Sequence, residues 1–357
     1  MTKELFAQIC SFENVLAAAQ RAARGKRHRP DVAAFLFDQE RHCLRLADAL
    51  ASGQWQPGPY KEVLVREPKE RRISVARFAD RVVHQAICHW VAPILERGYI
   101  AHTFASIAGR GQHRAVACFE RFRDAHTHVL QTDIYRFFPA IDHAVLKRDL
   151  ARRIACPRTL ALLAQIIDGS NAQEPVERYF AGDDLWTPMQ RRRGLPLGNL
   201  SSQMLANFYL SPLDHYAKEV LRIKGYVRYL DDMAVFGAST QQLQAWQAAL
   251  ALFLDQRRLM LHPRKTAVHS CKQDVQFLGF VLLPGGKRRL PAAHVNRAVG
   301  RIARWRGAWA RGEASALAIG QSVGAWIAHA RHADTYALRL ALFPKGWFCP
   351  RGEPARR

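Results

Sequence analysis

The segment Tyr226-Val227-Arg228-Tyr229-Leu230-Asp231-Asp232-Met233-Ala234-Val235-Phe236 constrains this chain more than any other stretch. Apolar, β-favouring residues stand on both sides of two adjacent aspartates. Folded as a hairpin, the segment puts both acids at or beside the turn. Burying one such acid unpaired is costly, and two held together need a cation. Magnesium suits the position, because it prefers hard carboxylate oxygens and keeps sites for water and phosphate. Aspartate is also a common turn residue, so an ordinary acidic turn explains the pair taken alone. Asp183-Asp184 offers a contrast: it lies in a polar stretch without flanking strands and reads as a solvated pair.

A third carboxylate ends the run His128-Val129-Leu130-Gln131-Thr132-Asp133 and is followed by Ile134-Tyr135-Arg136-Phe137-Phe138. An apolar strand ending on an acid, with aromatics just beyond, suits a place where a metal and a nucleotide sugar meet. A strand-end aspartate capping the next turn is the plainer alternative.

Taken together, these segments resemble the reverse transcriptases. Tyr229-Leu230-Asp231-Asp232 is similar to the family's Tyr-x-Asp-Asp signature, and Asp133 to Phe138 to its first catalytic motif. Gly194-Leu195-Pro196-Leu197-Gly198-Asn199-Leu200-Ser201-Ser202-Gln203 is similar to the motif between them. Order and spacing match, over roughly residues 55–342. The resemblance implies an α+β right-hand polymerase with fingers, a ferredoxin-like palm and a helical thumb. It implies that Asp133, Asp231 and Asp232 are catalytic, and that with Ile134 they hold two Mg²⁺ ions. One ion would lower the pKa of the primer 3′-hydroxyl; the other would neutralise the triphosphate. Phe138 matches a steric gate that excludes the ribose 2′-hydroxyl; a core aromatic is the alternative.

The same resemblance assigns further residues. Lys69 and Arg71, on a basic hairpin tip, match positions that reach the incoming triphosphate; a solvated basic hairpin is the alternative. Gly198 matches a close backbone approach to the template–nucleotide pair, and Gln203 lies in the same nucleotide-binding motif. Lys265 is a candidate proton donor to pyrophosphate or a solvated lysine. Phe277-Leu278-Gly279 resembles the primer grip, where aromatics are otherwise simply core. Around His102 to Gly111 a basic residue usual in relatives is replaced by Ile107, with Arg110 as a substitute contact.

Leu197 and Gln203 depart from the common Gln-Gly-x-x-x-Ser-Pro pattern. In this the chain resembles the reverse transcriptases of diversity-generating retroelements, within the group II intron and retron-like superfamily. The resemblance implies error-prone copying of a template-repeat RNA at adenines, a role of Leu197 and Gln203 in fidelity, and an accessory variability protein. It also implies dNTPs and an RNA/cDNA duplex as partners. Loss of polar contacts at Leu197 would weaken the testing of pair geometry. A group II-like or retron-like enzyme of ordinary fidelity, or a non-enzymatic RNA-binding protein, are the competing readings.

Charge agrees with a nucleic-acid partner: 53 Lys+Arg oppose 30 Asp+Glu, a net of +23, which calls for an extended polyanion. A membrane surface is disfavoured, because the charge is spread over several segments rather than one amphipathic helix. Residues 1–24 carry Glu4 and Glu13 and read as neither signal peptide nor membrane span. Seven scattered cysteines, with no Cys-x-x-Cys pair, disfavour a zinc ribbon or a disulfide framework. The expected compartment is the cytoplasm of a prokaryotic cell, with a phage gene as another source.

Periodicity gives the coarse organisation. Helices are expected over residues 10–23 (Ser11 as N-cap), 32–50, 80–97, 146–167, 200–220 and 243–258, with a strand over 275–283 and basic, Trp-containing helices to 342. The expected units are an N-terminal helical extension (1–54), fingers and palm (55–285), thumb (286–345) and a basic tail (346–357).

Overall fold

The computed structural model describes residues 2–65, 70–170 and 178–343. Lys69, Cys349 and the basic tail lie outside the described residues. Four helices open the chain: α1 (Thr2–Cys10), α2 (Phe12–Ala23), α3 (Pro30–Phe37) and α4 (Gln39–Ala51). Ser11 caps α2, accepting from the Asn14 N–H at 3.3 Å. The helix expected over 32–50 is two, because Asp38 leaves helical geometry (φ −123, ψ 53). A hairpin of β1 (Lys61–Val65) and β2 (Arg71–Val75) follows, then the long helix α5 (Phe78–Glu96) and α6 (Gln112–Asp124).

The described residues 2–54 pack their apolar side chains into the core of the rest of the molecule. Phe6, Ile9, Val15 and Leu50 share one apolar cluster with Val82, Ile87 and Val91 of α5. Asn14 joins the two by donating to the Ala86 carbonyl at 3.2 Å.

The centre of the molecule is β3 (His128–Thr132), α7 (Phe137–Ala140), α8 (His143–Ala151), α9 (Pro157–Asp168), α10 (Thr187–Gln190), α11 (Leu200–Tyr209) and α12 (Ser211–His215). One π turn (Tyr216–Val220), β4 (Gly225–Tyr229), β5 (Asp232–Gly237), α13 (Thr240–Gln256) and β6 (Ala267–Ser270) complete it. The helix expected over 146–167 is split before Pro157, which opens α9, and the one over 200–220 before Pro212, the second residue of α12. Proline has no N–H for the preceding turn and suits the first turn of a helix.

Strands β3 to β6 form an antiparallel sheet in the order β4-β5-β3-β6. With helices between β3 and β4 and between β5 and β6, this is a ferredoxin-like β-α-β-β-α-β unit. Both faces are covered, and alternate residues divide between them. Leu130, Tyr226, Met233 and Val235 enter the main core; Val129, Val227, Ala234 and Phe236 enter a second one with Phe119 of α6. Burial on both faces explains why these strands read as unbroken apolar runs.

Beyond the sheet, the strand expected over 275–283 is a hairpin of β7 (Val275–Phe277) and β8 (Phe280–Leu282), joined to β9 (Arg288–Arg289). Leu278 and Gly279 turn it at φ 43 and 80. Helices α14 (Ala292–Ala310), α15 (Ala316–Ala330) and α16 (Tyr336–Leu342) end the described chain. Ala298, Ile302 and Ile319 are buried, while Arg301, Arg304 and Arg306 are exposed. Trp305 of α14 is half-buried, its Nε1 donating to Ser322 Oγ at 3.2 Å.

Asp183 is not the freely solvated acid expected. Arg258 donates to both its oxygens at 2.6 and 2.7 Å and holds its carboxyl below the ordinary range. Asp184 accepts from the N–H groups of Trp186 and Thr187, at the start of α10. Six described cysteines are buried free thiols. None of the described helices is long and apolar enough to cross a membrane.

His84, on α5, is buried with neither ring nitrogen hydrogen-bonded. Burial pushes its imidazole down to about 4, against about 6.5 in an unfolded chain. Between those values the unfolded chain takes up a proton that the folded one refuses, so stability falls as pH drops through this window. The full effect is about 3 kcal/mol. His84→Leu is expected to flatten the fall in Tm between pH 6.5 and pH 4; a fall as steep as in the unaltered protein would show that His84 does not cause it.

Candidate active site

Tyr229 pairs with Asp232, so Leu230 and Asp231 form a two-residue turn between β4 and β5. Leu230 takes φ 54, a left-handed conformation that costs a side-chain-bearing residue about 1–2 kcal/mol. On the neighbouring strand Thr132 faces Met233. One step beyond lie Asp133 and Asp232, so Asp133, Asp231 and Asp232 share one end of the sheet.

Their environments differ. Asp133 is buried and Asp232 exposed. The Lys265 ammonium pairs with the Asp133 carboxylate. The Asp133 carbonyl accepts from His262 N–H at 2.7 Å, Tyr135 N–H donates to the Met260 carbonyl at 2.9 Å, and buried Ile134 bridges Leu261. Residues 260–265 are thereby strapped along the first motif. Burial pushes the Asp231 carboxyl above its usual range, although the cations of Arg71 and Arg228 oppose the shift.

Among the described residues no three His, Cys, Asp or Glu side chains close on one point as a metal-holding group; Lys265 is the cation on Asp133. The donor chemistry nonetheless fits a hard divalent ion. The donors are carboxylate oxygens, and burial disfavours the bare charge of the Asp231 carboxylate.

Arg71, the exposed first residue of β2, is thus close enough to Asp231 to act on its charge. Strand β2 is hydrogen-bonded to the segment before α11. Ser74 N–H donates to the Leu197 carbonyl at 3.0 Å, and Asn199 Nδ2 to the Ser74 carbonyl at 3.2 Å. Between them Gly198 sits at φ 104, where an added Cβ would lie 2.7 Å from Ile73 Cγ2. The backbone conformation and the close approach both require glycine. Leu197 is half-buried. Leu195 N–H donates to the Phe138 carbonyl at 2.9 Å, and the half-buried Phe138 ring packs against the main core.

Gln203, in the first turn of α11, accepts from Ser106 Oγ at 3.4 Å. Arg110 does not reach out in place of a basic residue at Ile107. Its Nη1 braces the same loop, donating to the carbonyls of Ile100 and Thr103 at 2.6 and 2.7 Å. The Phe277 ring is also spent internally: it is buried and stacked on Phe119 at 4.6 Å between centroids. Leu278 and Gly279 alone are left at the hairpin turn, with Gln112 Nε2 donating to the Leu278 carbonyl at 2.5 Å.

Sequence reasoning missed the best-connected group near the site. Arg228 and Asp214 are fully buried and joined by two hydrogen bonds of 2.6 and 2.5 Å. Asp214 also accepts from Thr103 Oγ1 at 2.7 Å and Tyr226 Oη at 2.8 Å. The available signal was an arginine inside an otherwise apolar strand, which needs a buried partner.

The family described as reverse transcriptase (RNA-dependent DNA polymerase) matches residues 62–282. Protein YkfC of Escherichia coli (strain K12) is 24% identical over 244 residues, 64% of this chain and 61% of that protein. The match therefore spans about three-fifths of that relative's length. Telomerase from Candida albicans, solved with a TWJ fragment of telomeric RNA, aligns at a TM-score of 0.47 and 12% identity, covering 66% of this chain and 46% of that one. Apo telomerase from Candida tropicalis, truncated from its C-terminal domain, aligns at 0.47 and 11%, covering 67% and 55%.

The close contact at Gly198 is directly testable. Gly198→Ala is expected to destabilise the protein by about 2–4 kcal/mol, from overpacking and left-handed strain together. Adding Ile73→Ala should restore part of the lost Tm, because it removes the clash and leaves the strain. Full recovery, or none, would contradict this division.

Proposed function

Because the chain belongs to the reverse transcriptase family, we propose that it is an RNA-directed DNA polymerase that copies a template RNA into cDNA from dNTPs. The observation that carries this reading is the strand register that puts Asp133, Asp231 and Asp232 at one sheet end, with the cation of Arg71 acting on Asp231. Asp133, Asp231 and Asp232, with Ile134 beside them, would hold two Mg²⁺ ions, whose chemistry is to acidify the primer 3′-hydroxyl and neutralise the triphosphate.

The protein's own groups would do the positioning. The hairpin β1–β2 serves as fingers, with Arg71 and Lys69 gripping the triphosphate; Arg offers two parallel donors to phosphate oxygens. Phe138 bars the 2′-hydroxyl. Gly198 lets backbone approach the template–nucleotide pair. Lys265, whose ammonium lies on Asp133, is the candidate donor of a proton to pyrophosphate. Leu278 and Gly279, supported by the Phe277 ring beneath, form the primer grip. Helices α14 to α16 serve as a thumb, with exposed arginines for the duplex backbone.

Within the family we assign the chain to a diversity-generating retroelement. It would copy a template-repeat RNA with errors at adenines, together with an accessory variability protein, in a prokaryotic cytoplasm. Leu197 and Gln203 support this assignment. Leu197 offers a backbone carbonyl to Ser74 but no polar side-chain atom, and Gln203 is engaged by Ser106. Pair selection that relies on buried polar contacts weakens when they are missing.

The test is cDNA synthesis on a defined RNA with Mg²⁺, with and without the accessory protein, followed by sequencing. Asp231→Ala should reduce product at least about 10³-fold, since charge stabilisation of this kind is worth several kcal/mol. Errors should concentrate opposite template adenines, and Leu197→Gln with Gln203→Pro should lower them. Faithful cDNA from the unaltered protein would sink the retroelement assignment and leave the polymerase. RNA binding without product would favour a non-enzymatic role.

A further inference from the structure

Arg228 lies three residues before Asp231 and never reaches solvent. A guanidinium has five N–H donors in a rigid planar fork. Here five acceptor contacts receive them. Nε and Nη2 donate to the Asp214 carboxylate, Nη1 to Asn207 Oδ1 at 2.9 Å, and Nη2 to the Asn207 carbonyl at 3.3 Å. The remaining contact runs from Nη1 to the Leu230 carbonyl at 3.2 Å. Leu230 is the strained residue of the acidic turn. One side chain therefore ties the turn's first residue to α11 and α12.

We infer that Arg228 is a positioning residue. By holding the Leu230 carbonyl it fixes the turn that presents Asp231, and so sets the affinity of the carboxylate group for a divalent cation. The inference rests on the reading of these aspartates as the metal-holding group. A site whose donors are fixed beforehand loses less on binding than one that must be ordered. Lysine cannot replace arginine here. Its three donors radiate from one atom and cannot span Asp214, Asn207 and Leu230 together.

A buried ion pair can also be merely structural, and the molecule contains a control for that. Arg257 Nη2 donates to Asp149 at 2.6 Å and its Nε to the Tyr209 carbonyl at 3.1 Å. This pair is buried as well and makes no contact with the acidic turn.

The experiment measures Mn²⁺ binding to the full chain by electron paramagnetic resonance, with amide hydrogen exchange of the peptide spanning residues 229–232. Asp231→Asn is the negative control. Arg228→Lys is expected to weaken Mn²⁺ at least 10-fold, speed exchange in that peptide, and raise the Mg²⁺ needed for half-maximal cDNA synthesis, with the dNTP KM within twofold. Arg257→Lys, at a comparable loss of Tm, should leave Mn²⁺ affinity and turn exchange within twofold. Equal behaviour of the two lysine variants would overturn the inference. If Arg228→Lys does not fold, Arg228→Met with Asp214→Asn removes both buried charges together, and retention of full Mn²⁺ affinity there would overturn it equally. Failure of the underlying reading looks different: the unaltered protein would bind no Mn²⁺, or Asp231→Asn would bind it as well.

Discussion

The buried pair of Arg228 and Asp214 is the constraint on which the central structure depends. Two opposite charges at zero exposure cannot be separated by a small rearrangement. Losing either leaves the other desolvated and unpaired, a loss of about 3–5 kcal/mol. Thr103, Asn207, Tyr226 and Leu230 are all fixed by the same two side chains. They come from the loop before α6, from α11, from β4 and from the acidic turn. The pair therefore sets the position of β4 against the helices, and the sheet order then fixes Asp133 through β5 and β3. Burial on both sheet faces allows such a pair to exist, because water is kept from the strand on either side.

Much of this architecture was legible in the sequence because it follows from local pattern. The hairpin around Asp231 and Asp232 reads directly from two short apolar runs around an acidic pair, and β3 from its apolar run. The splits before Pro157 and Pro212 were also in reach, since each proline stands in the first turn of its helix. Apolar periodicity runs on across both prolines and so predicts longer helices than those that form. The break at Asp38 had a weaker marker, a residue type that favours the N-cap over a helix interior.

Side-chain partnerships were the illegible part. Asp183 resembled a solvated acid because its polar neighbours gave no hint of Arg258, far along the chain. Phe277 resembled a functional aromatic, and only the position of Phe119 shows that its ring is stacked in a core. Arg110 likewise gave no sign that it would be absorbed in bracing a loop. A charged residue's partner depends on three-dimensional neighbours, and one sequence carries no distances between them. Arg228 was the exception with a warning attached, a cation in the middle of an apolar strand.

Two electrostatic scales coexist in this molecule. The net charge of +23 acts at long range and favours a polyanion on the surface. Salt screens such fields beyond about 8 Å at physiological ionic strength. At the acidic turn a shorter-range effect wins: burial raises the Asp231 carboxyl even though Arg71 and Arg228 both pull it down. A strongly basic protein can thus hold an acid whose ionisation is opposed by burial more than it is favoured by nearby arginines. The long-range effect belongs to the many exposed arginines, the short-range one to one sheet end where Asp133, Asp231 and Asp232 lie. The first property depends on total composition and tolerates single substitutions. The second depends on the geometry of one turn, and that geometry hangs on a guanidinium with no donor to spare.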